Sequence, residues 1–157
     1  RSVRQYQERA VGWDIMETLL KAAMAAPSAV NAQPWEFIVT DDSDQIGQIK
    51  QACEYGQYNT PMAILVCGNM NDALPDKSQE YWIQDCSAAT ENILVAAASL
   101  GLGTVWLGVY PNESRVRALQ QAFDMPEHDH LTIIIRKTFE RLSQFQESFV
   151  TGEMLAR

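Results

Sequence analysis

A run of small residues within the longest predicted helix is the feature that most constrains the fold of this chain. Helical periodicity predicts a helix over residues 79–100, and Gly101 provides a natural stop. Residues 88–98, in the middle of that helix, are rich in alanine. Small side chains let a neighbouring helix or chain approach closely. The sequence therefore predicts that this helix occupies a central position.

Other helices alternate with short apolar segments on both sides of the central helix. Helices are predicted over residues 13–25, 44–55 and 113–123, and strands over residues 35–40, 62–67, 104–110 and 131–135. On the first helix, Ile15, Leu19, Ala22 and Ala23 fall on one face. This order predicts the α+β class, a mixed α/β sheet flanked by helices. A length of 157 residues predicts a single domain spanning residues 1–157.

The loop between the first helix and the first strand carries an unusual set of polar side chains. Pro27 ends the helix, and Ser28, Asn31 and Gln33 follow it. These three side chains can donate and accept hydrogen bonds without carrying charge. Such groups suit a flat heteroaromatic ring edged with carbonyls and ring nitrogens. The alternative is an ordinary helix stop, followed by a loop in which the amides satisfy the backbone.

Three segments of the chain resemble motifs of the nitroreductase family, and they occur in the family's order. Residues 27–35 resemble its flavin-binding loop, Pro-Ser-x-x-Asn-x-Gln-Pro-Trp, and residues 1–4 are similar to its Arg-Arg-Ser-x-Arg opening. Residues 101–108 resemble its Gly-Leu-Gly-x-x-Trp-Leu-Gly strand. The resemblance covers about residues 1–127 and implies a nitroreductase-like fold. Members of that family are usually intertwined homodimers with FMN at the subunit interface.

The resemblance implies a flavin site to which both chains contribute. Arg1, Ser2 and Arg4 would hold the phosphate, the ribityl chain or the pyrimidine edge of FMN. The backbone of Trp106, Leu107 and Gly108 would approach flavin N5, where glycine permits close contact. In the family, the polar loop comes from the partner subunit. The loop residues implied to contact the flavin are Pro27, Ser28, Ala29, Asn31 and Gln33.

The C-terminal part departs from the family pattern, because the Gly-Tyr-Pro turn after the last strand is missing. Any of three basic residues could supply a further cation for the phosphate: Arg136, Lys137 or Arg141. Arg141 is included in the implied site.

His128 and His130 alternate on an extended segment, but no third ligand accompanies them, so no metal site is expected. Cys86 is predicted to be a small buried residue rather than a nucleophile.

The implied activity is that of an NAD(P)H-dependent flavin oxidoreductase, or nitroreductase. A hydride would pass from NADH or NADPH through flavin N5 to a nitroaromatic, quinone or similar electrophilic acceptor, by a ping-pong mechanism. No catalytic side chain is implied, because the chemistry belongs to FMN. The alternative is a flavin-binding carrier or sensor without turnover.

The charge and cysteine content of the chain limit the classes of binding partner and the cellular location that are expected. Twenty acidic residues against twelve basic ones give a net charge of −8, which argues against nucleic acid and anionic membranes as partners. No apolar run approaches membrane-spanning length. The three cysteines fit neither a disulfide framework nor a C-x-x-C motif, so a cytoplasmic location is expected.

Overall fold

In the described part of the chain, four antiparallel strands form a sheet in which the strand latest in sequence lies between two earlier ones. The computed structural model describes residues 2–7, 9–126 and 129–139. The strands are β1 (Trp35–Thr40), β2 (Ala63–Asn69), β3 (Leu102–Gly108) and β4 (Asp129–Phe139). Their spatial order is β1-β2-β4-β3, so β1 and β3 are the edge strands of the sheet that the described residues form.

Two pairs of helices cover the two faces of this sheet. The helices are α1 (Trp13–Met24), α2 (Ser43–Ala52), α3 (Tyr81–Ser99) and α4 (Glu113–Ala122). Helices α1 and α3 pack on one face, and α2 and α4 pack on the other. The predicted α+β class and the predicted helices and strands are confirmed. Within the described part of the chain, no helix combines the length and apolar character needed to cross a membrane.

Strand β2 explains why the sequence contains a continuous apolar run. Ile64 and Val66 pack against the α1–α3 side, whereas Leu65 and Cys67 pack against the α2–α4 side. All four are essentially inaccessible to solvent. Because successive side chains in a strand point to opposite faces, a strand covered on both sides needs apolar residues at every position. The run therefore marks the centre of the fold.

Helix α3 has the central position that its small residues predicted. Ala89, Ile93 and Ala97 are fully buried between the helix, the sheet and α1. Cys86 is also fully buried, as predicted, and its thiol donates to the carbonyl of Cys67. The helix ends at Ser99, and Gly101 follows with φ of 74°, a conformation that glycine adopts without steric cost.

Several boundaries differ from the sequence prediction: α2 ends at Ala52 rather than at residue 55, and β3 ends at Gly108 rather than at residue 110. Two further differences have a clear physical reason. Strand β3 begins at Leu102 rather than at residue 104, because its first residues pair with the end of β4. Strand β4 extends over eleven residues, beyond the apolar segment 131–135. It is hydrogen-bonded to β2 on one side and to β3 on the other, and this pairing carries it past polar residues.

Candidate functional site

An open cleft lies along the outer edge of β3. The N-terminal segment covers only the first part of that edge: Ser2 bridges to Thr104, and the Val3 N–H donates to the Thr104 carbonyl at 2.7 Å. Beyond this contact the edge borders a cavity of about 170 Å³, which we call the β3 cleft. The cleft is lined by Arg4, Cys53, Tyr55, Tyr58, Val105, Trp106, Leu107, Gly108 and Arg115.

The backbone at the end of β3 directs polar groups into this cleft. The Thr104 carbonyl points away from β4, since it accepts from Val3. Peptide groups of alternate residues in a strand point to the same side. Trp106 and Gly108 therefore also direct their N–H and C=O groups to the open edge, whereas those of Leu107 point toward β4. An edge of this kind can hydrogen-bond a ligand as it would another strand.

Gly108 leaves room for a ligand to approach the main chain. A Cβ atom at this position would meet no heavy atom of the described residues within 4 Å. The residue is exposed, and its φ is not in the positive range. Glycine is therefore not required here by backbone conformation or by packing within the chain. The space beside Gly108 instead fits a flat group placed against the backbone.

Arg4 provides positive charge at the same cleft. Its side chain is exposed and lines the cavity together with Gly108. Among the described residues it forms no ion pair. The structure thus brings together two of the three sequence motifs, with Ser2 exposed at the start of the same segment. Arg1 and Arg141, implied by the resemblance, lie outside the described residues, as does His128.

The polar loop after α1 has an unusual backbone. Val30, Asn31 and Gln33 have φ of 45°, 61° and 52°, although none is glycine. A β-branched residue such as Val30 rarely adopts a positive φ, and this one is 82% exposed. Strained conformations of this kind persist where the surroundings hold them, and they cluster at functional sites. The loop geometry therefore supports a binding role.

Hydrogen bonds within the loop orient its polar side chains. The Gln33 N–H donates to Ser28 Oγ at 3.0 Å, and Gln33 Nε2 donates to Asn31 Oδ1 at 2.9 Å. Among the described residues, Asn31 Nδ2 and Gln33 Oε1 have no partner. One donor and one acceptor thus remain available on the exposed side of the loop. Pro27 is exposed at its start, and Ala29 is half-buried.

A buried carboxylate ties the loop to the central helix. Asp85 in α3 is 6% exposed, and its Oδ1 accepts a hydrogen bond from the Ala29 N–H at 2.9 Å. The two residues are 56 positions apart in the chain. This contact fixes the loop immediately before its three positive-φ residues.

Asp85→Ala is expected to lower the free energy of unfolding by about 1–3 kcal/mol, because it leaves the Ala29 N–H without its acceptor. Asp85→Asn keeps a side-chain oxygen at the same place and is expected to lose less. Urea unfolding followed by far-ultraviolet circular dichroism measures both variants. Equal losses for the two would contradict a role based on this hydrogen bond.

The polar loop and the β3 cleft lie at opposite edges of the sheet. The loop precedes β1, the cleft borders β3, and two strands separate them. Three inter-strand spacings correspond to roughly 14 Å. No loop residue lines the cleft. Trp35 pairs with Gly68 near the end of β2, whereas Gly108 pairs with Ile133, which lies opposite Val66 in the middle of β2.

Sequence reasoning missed several residues of the cleft. Tyr55 and Tyr58 flank Gly56, which packs so closely that a Cβ there would lie 2.9 Å from Leu107 Cδ1. A glycine between two tyrosines was the available signal for this close approach. Nothing in the sequence indicates that Arg115 lines the cleft, because only the tertiary fold brings α4 to the end of β3.

Comparison with known proteins shows which family this chain resembles. The model of the nitroreductase family matches residues 1–56 and 48–136. A protein of Archaeoglobus fulgidus, provisionally named an NADH dehydrogenase/NAD(P)H nitroreductase, is 48% identical over 130 residues. That alignment covers 82% of this chain and 74% of the relative.

Solved structures share the same fold. A provisionally named NADH oxidase from Clostridium acetobutylicum superposes with a TM-score of 0.83 at 39% identity, covering 90% of this chain and 84% of that one. A provisionally named nitroreductase from Desulfovibrio desulfuricans, solved in complex with FMN, has a TM-score of 0.77 at 27% identity. The match covers 90% of this chain and 81% of that structure.

Proposed function

This chain belongs to the nitroreductase family, and we propose that it is an FMN-dependent oxidoreductase that uses NADH or NADPH to reduce an electrophilic acceptor. The acceptor class we propose is nitroaromatics, quinones and similar conjugated molecules, reduced in a ping-pong cycle. Bound FMN would supply the hydride chemistry. The location we propose is the cytoplasm.

The β3 cleft is the observation that carries this proposal. It combines an open backbone edge at Trp106 and Gly108, free space beside Gly108 and an exposed guanidinium at Arg4. A flavin nucleotide needs these three features: hydrogen-bonding groups for the ring edge, room for a flat ring and a cation for the anionic tail. The residues present therefore fit FMN.

Each group in the cleft has a distinct role in this proposal. The Gly108 N–H is a fixed donor for a ring nitrogen, because its direction is set by the strand. Arg4 offers charge-assisted donors to a phosphate or to a polar ring edge. The buried strands behind the cleft hold these groups in place, so they do not have to rearrange when a ligand binds. No side-chain acid or base is required.

A homodimer is the assembly that we propose for the complete site. The polar loop has donors and acceptors available, but it lies at the opposite edge of the sheet from the cleft of its own chain. In a dimer, the loop of one copy would contact a flavin in the β3 cleft of the other copy. That contact would use the available donor and acceptor of the loop. Analytical ultracentrifugation should show a dimer. A monomer that binds FMN tightly would contradict this assembly.

The first experiment is a visible absorption spectrum of the purified protein, followed by identification of the cofactor released on denaturation. We expect a yellow protein that releases about one FMN per chain and oxidises NADH or NADPH when a quinone is added. FMN binding without turnover would favour a carrier or sensor instead. A colourless protein that takes up no added FMN would overturn the proposal.

Asn31→Gly is expected to weaken FMN binding about tenfold, because it removes the available Nδ2 donor, while glycine tolerates the φ of 61°. The melting temperature should change by only a few degrees, since the side chain is exposed. Fluorescence titration of the flavin-free protein measures the affinity. Gln48→Ala, an exposed amide on α2, is the matched control. Equal affinities for the two variants would exclude Asn31 from the site.

A further inference from the structure

Arg115, on α4, contacts two other parts of the structure at the β3 cleft. Its Nη1 donates to the Gly108 carbonyl at 3.3 Å, and its Nη2 lies 3.5 Å from Glu54 Oε1. The guanidinium carbon lies 5.7 Å from the centre of the Tyr55 ring. The Arg115 side chain is only 23% exposed, so most of it is packed into this position. One side chain thus connects α4, the end of β3 and the segment after α2.

The end of β3 is the part of the cleft that most needs such a connection. It lies beyond the contact with Val3, so its outer side has no neighbouring strand among the described residues. Gly108 has no side chain to anchor it, and glycine has a wide choice of backbone conformations. Leu107 and Val109 are buried on either side of it, but an exposed residue at a strand edge opens more readily than the core. The hydrogen bond from Arg115 restrains the carbonyl of this residue.

The geometry requires arginine rather than any cation. The planar guanidinium presents donors in two directions at once and can also stack on an aromatic face. A lysine ammonium is a compact charge and lacks this planar fork. The charge of Arg115 is also partly balanced by Glu54. Arg4, which has no ion pair among the described residues, is the better cation for a bound anion.

We propose that Arg115 is a positioning residue that holds the Gly108 end of the β3 cleft in the shape that receives the isoalloxazine ring. This proposal rests on the proposed function. In this proposal, Arg115 maintains the shape of the cleft, and Arg4 supplies the positive charge for a bound anion. Loss of Arg115 should therefore affect every ligand that carries the ring, whether or not the ligand carries a phosphate.

The test compares FMN with riboflavin, which lacks the phosphate, in fluorescence titrations of flavin-free protein. Arg115→Ala is expected to weaken both ligands by the same factor, about tenfold. Arg115→Lys keeps the charge but should leave both affinities reduced. Arg117→Ala is the matched control, because Arg117 lies on the same helix and pairs with Glu113 on the surface. It should change neither affinity.

Loss of FMN affinity with riboflavin affinity unchanged would overturn the proposal, because it would show that Arg115 acts through charge on the phosphate. Full recovery by Arg115→Lys, or no effect of Arg115→Ala, would also overturn it. If Arg115→Ala does not fold, Glu54→Gln loosens the same contact from its exposed side. It should then weaken both ligands equally and more mildly, and a change confined to FMN would overturn the proposal.

Hydrogen exchange in the flavin-free protein separates this proposal from the proposed function. The amides of residues 106–110 should exchange faster in Arg115→Ala than in Arg117→Ala. That result would support the restraint on Gly108 even if the wild-type protein bound no flavin. Unchanged exchange would refute it even if flavin binding were confirmed.

Discussion

Gly108→Val is expected to abolish most FMN binding while leaving the protein folded. The new side chain occupies the space beside the main chain, where no atom of the described chain lies within 4 Å of where its Cβ would stand. Stability should change by about 0.5 kcal/mol, as for other surface substitutions. The affinity for FMN should fall by roughly 100-fold, because the valine methyl groups overlap a ring placed against the backbone. Fluorescence titration and thermal unfolding together measure both quantities.

Gly47→Ala is the matched control for this substitution. Gly47 lies in α2, and a Cβ there also meets nothing within 4 Å. Alanine in a helix should raise stability slightly, and FMN affinity should not change. If Gly108→Val bound FMN like the wild type, the ring would not lie against the end of β3. If Gly108→Val unfolded, glycine would be needed for folding rather than for binding.

Arg4→Ala is expected to weaken FMN binding by about 30-fold and riboflavin binding by a few-fold at most. The reason is that charge-assisted hydrogen bonds to an anion contribute more than neutral ones, and only FMN carries the phosphate. Isothermal titration calorimetry with each ligand measures the difference. Arg4→Lys should recover part of the FMN affinity, because it restores the charge without the planar fork.

The comparison of FMN with riboflavin affinity tests whether Arg4 acts on the phosphate. Arg117→Ala removes an exposed arginine whose charge is already paired with Glu113, so neither affinity should change. Equal losses of FMN and riboflavin in Arg4→Ala would refute a phosphate role for Arg4. They would instead place its guanidinium against the ring that both ligands share.

The sequence was sufficient to predict most of the fold, because the signals were local. The continuous apolar run of β2 and the small residues of α3 reflect burial on both sides, and Pro27 and Gly101 mark helix ends. The length of β4 could not be predicted in the same way. Its polar C-terminal half is held in the sheet by pairing with β2 and β3, and that pairing is set by residues distant in the chain.

The candidate site also contains residues that the sequence predicts and residues that it does not. The sequence predicts the polar loop and residues 106–108 as candidate site residues because each is a contiguous motif. Tyr55, Tyr58 and Arg115 are not predicted, because their position depends on how α2 and α4 pack against the second face of the sheet. Met16 shows the same limit within α1, since it is fully buried although it was not assigned to the apolar face.

The pairing of the N-terminal segment with β3 has a consequence for how the length of this segment can change. The bridge at Ser2 and the bond from Val3 fix the segment in register, and Arg4 reaches the cleft from the next position. One inserted residue between Val3 and Arg4 would turn the guanidinium to the opposite side, because side-chain direction alternates along an extended chain. Insertions and deletions here should therefore be tolerated far less than the exposed position of the segment suggests.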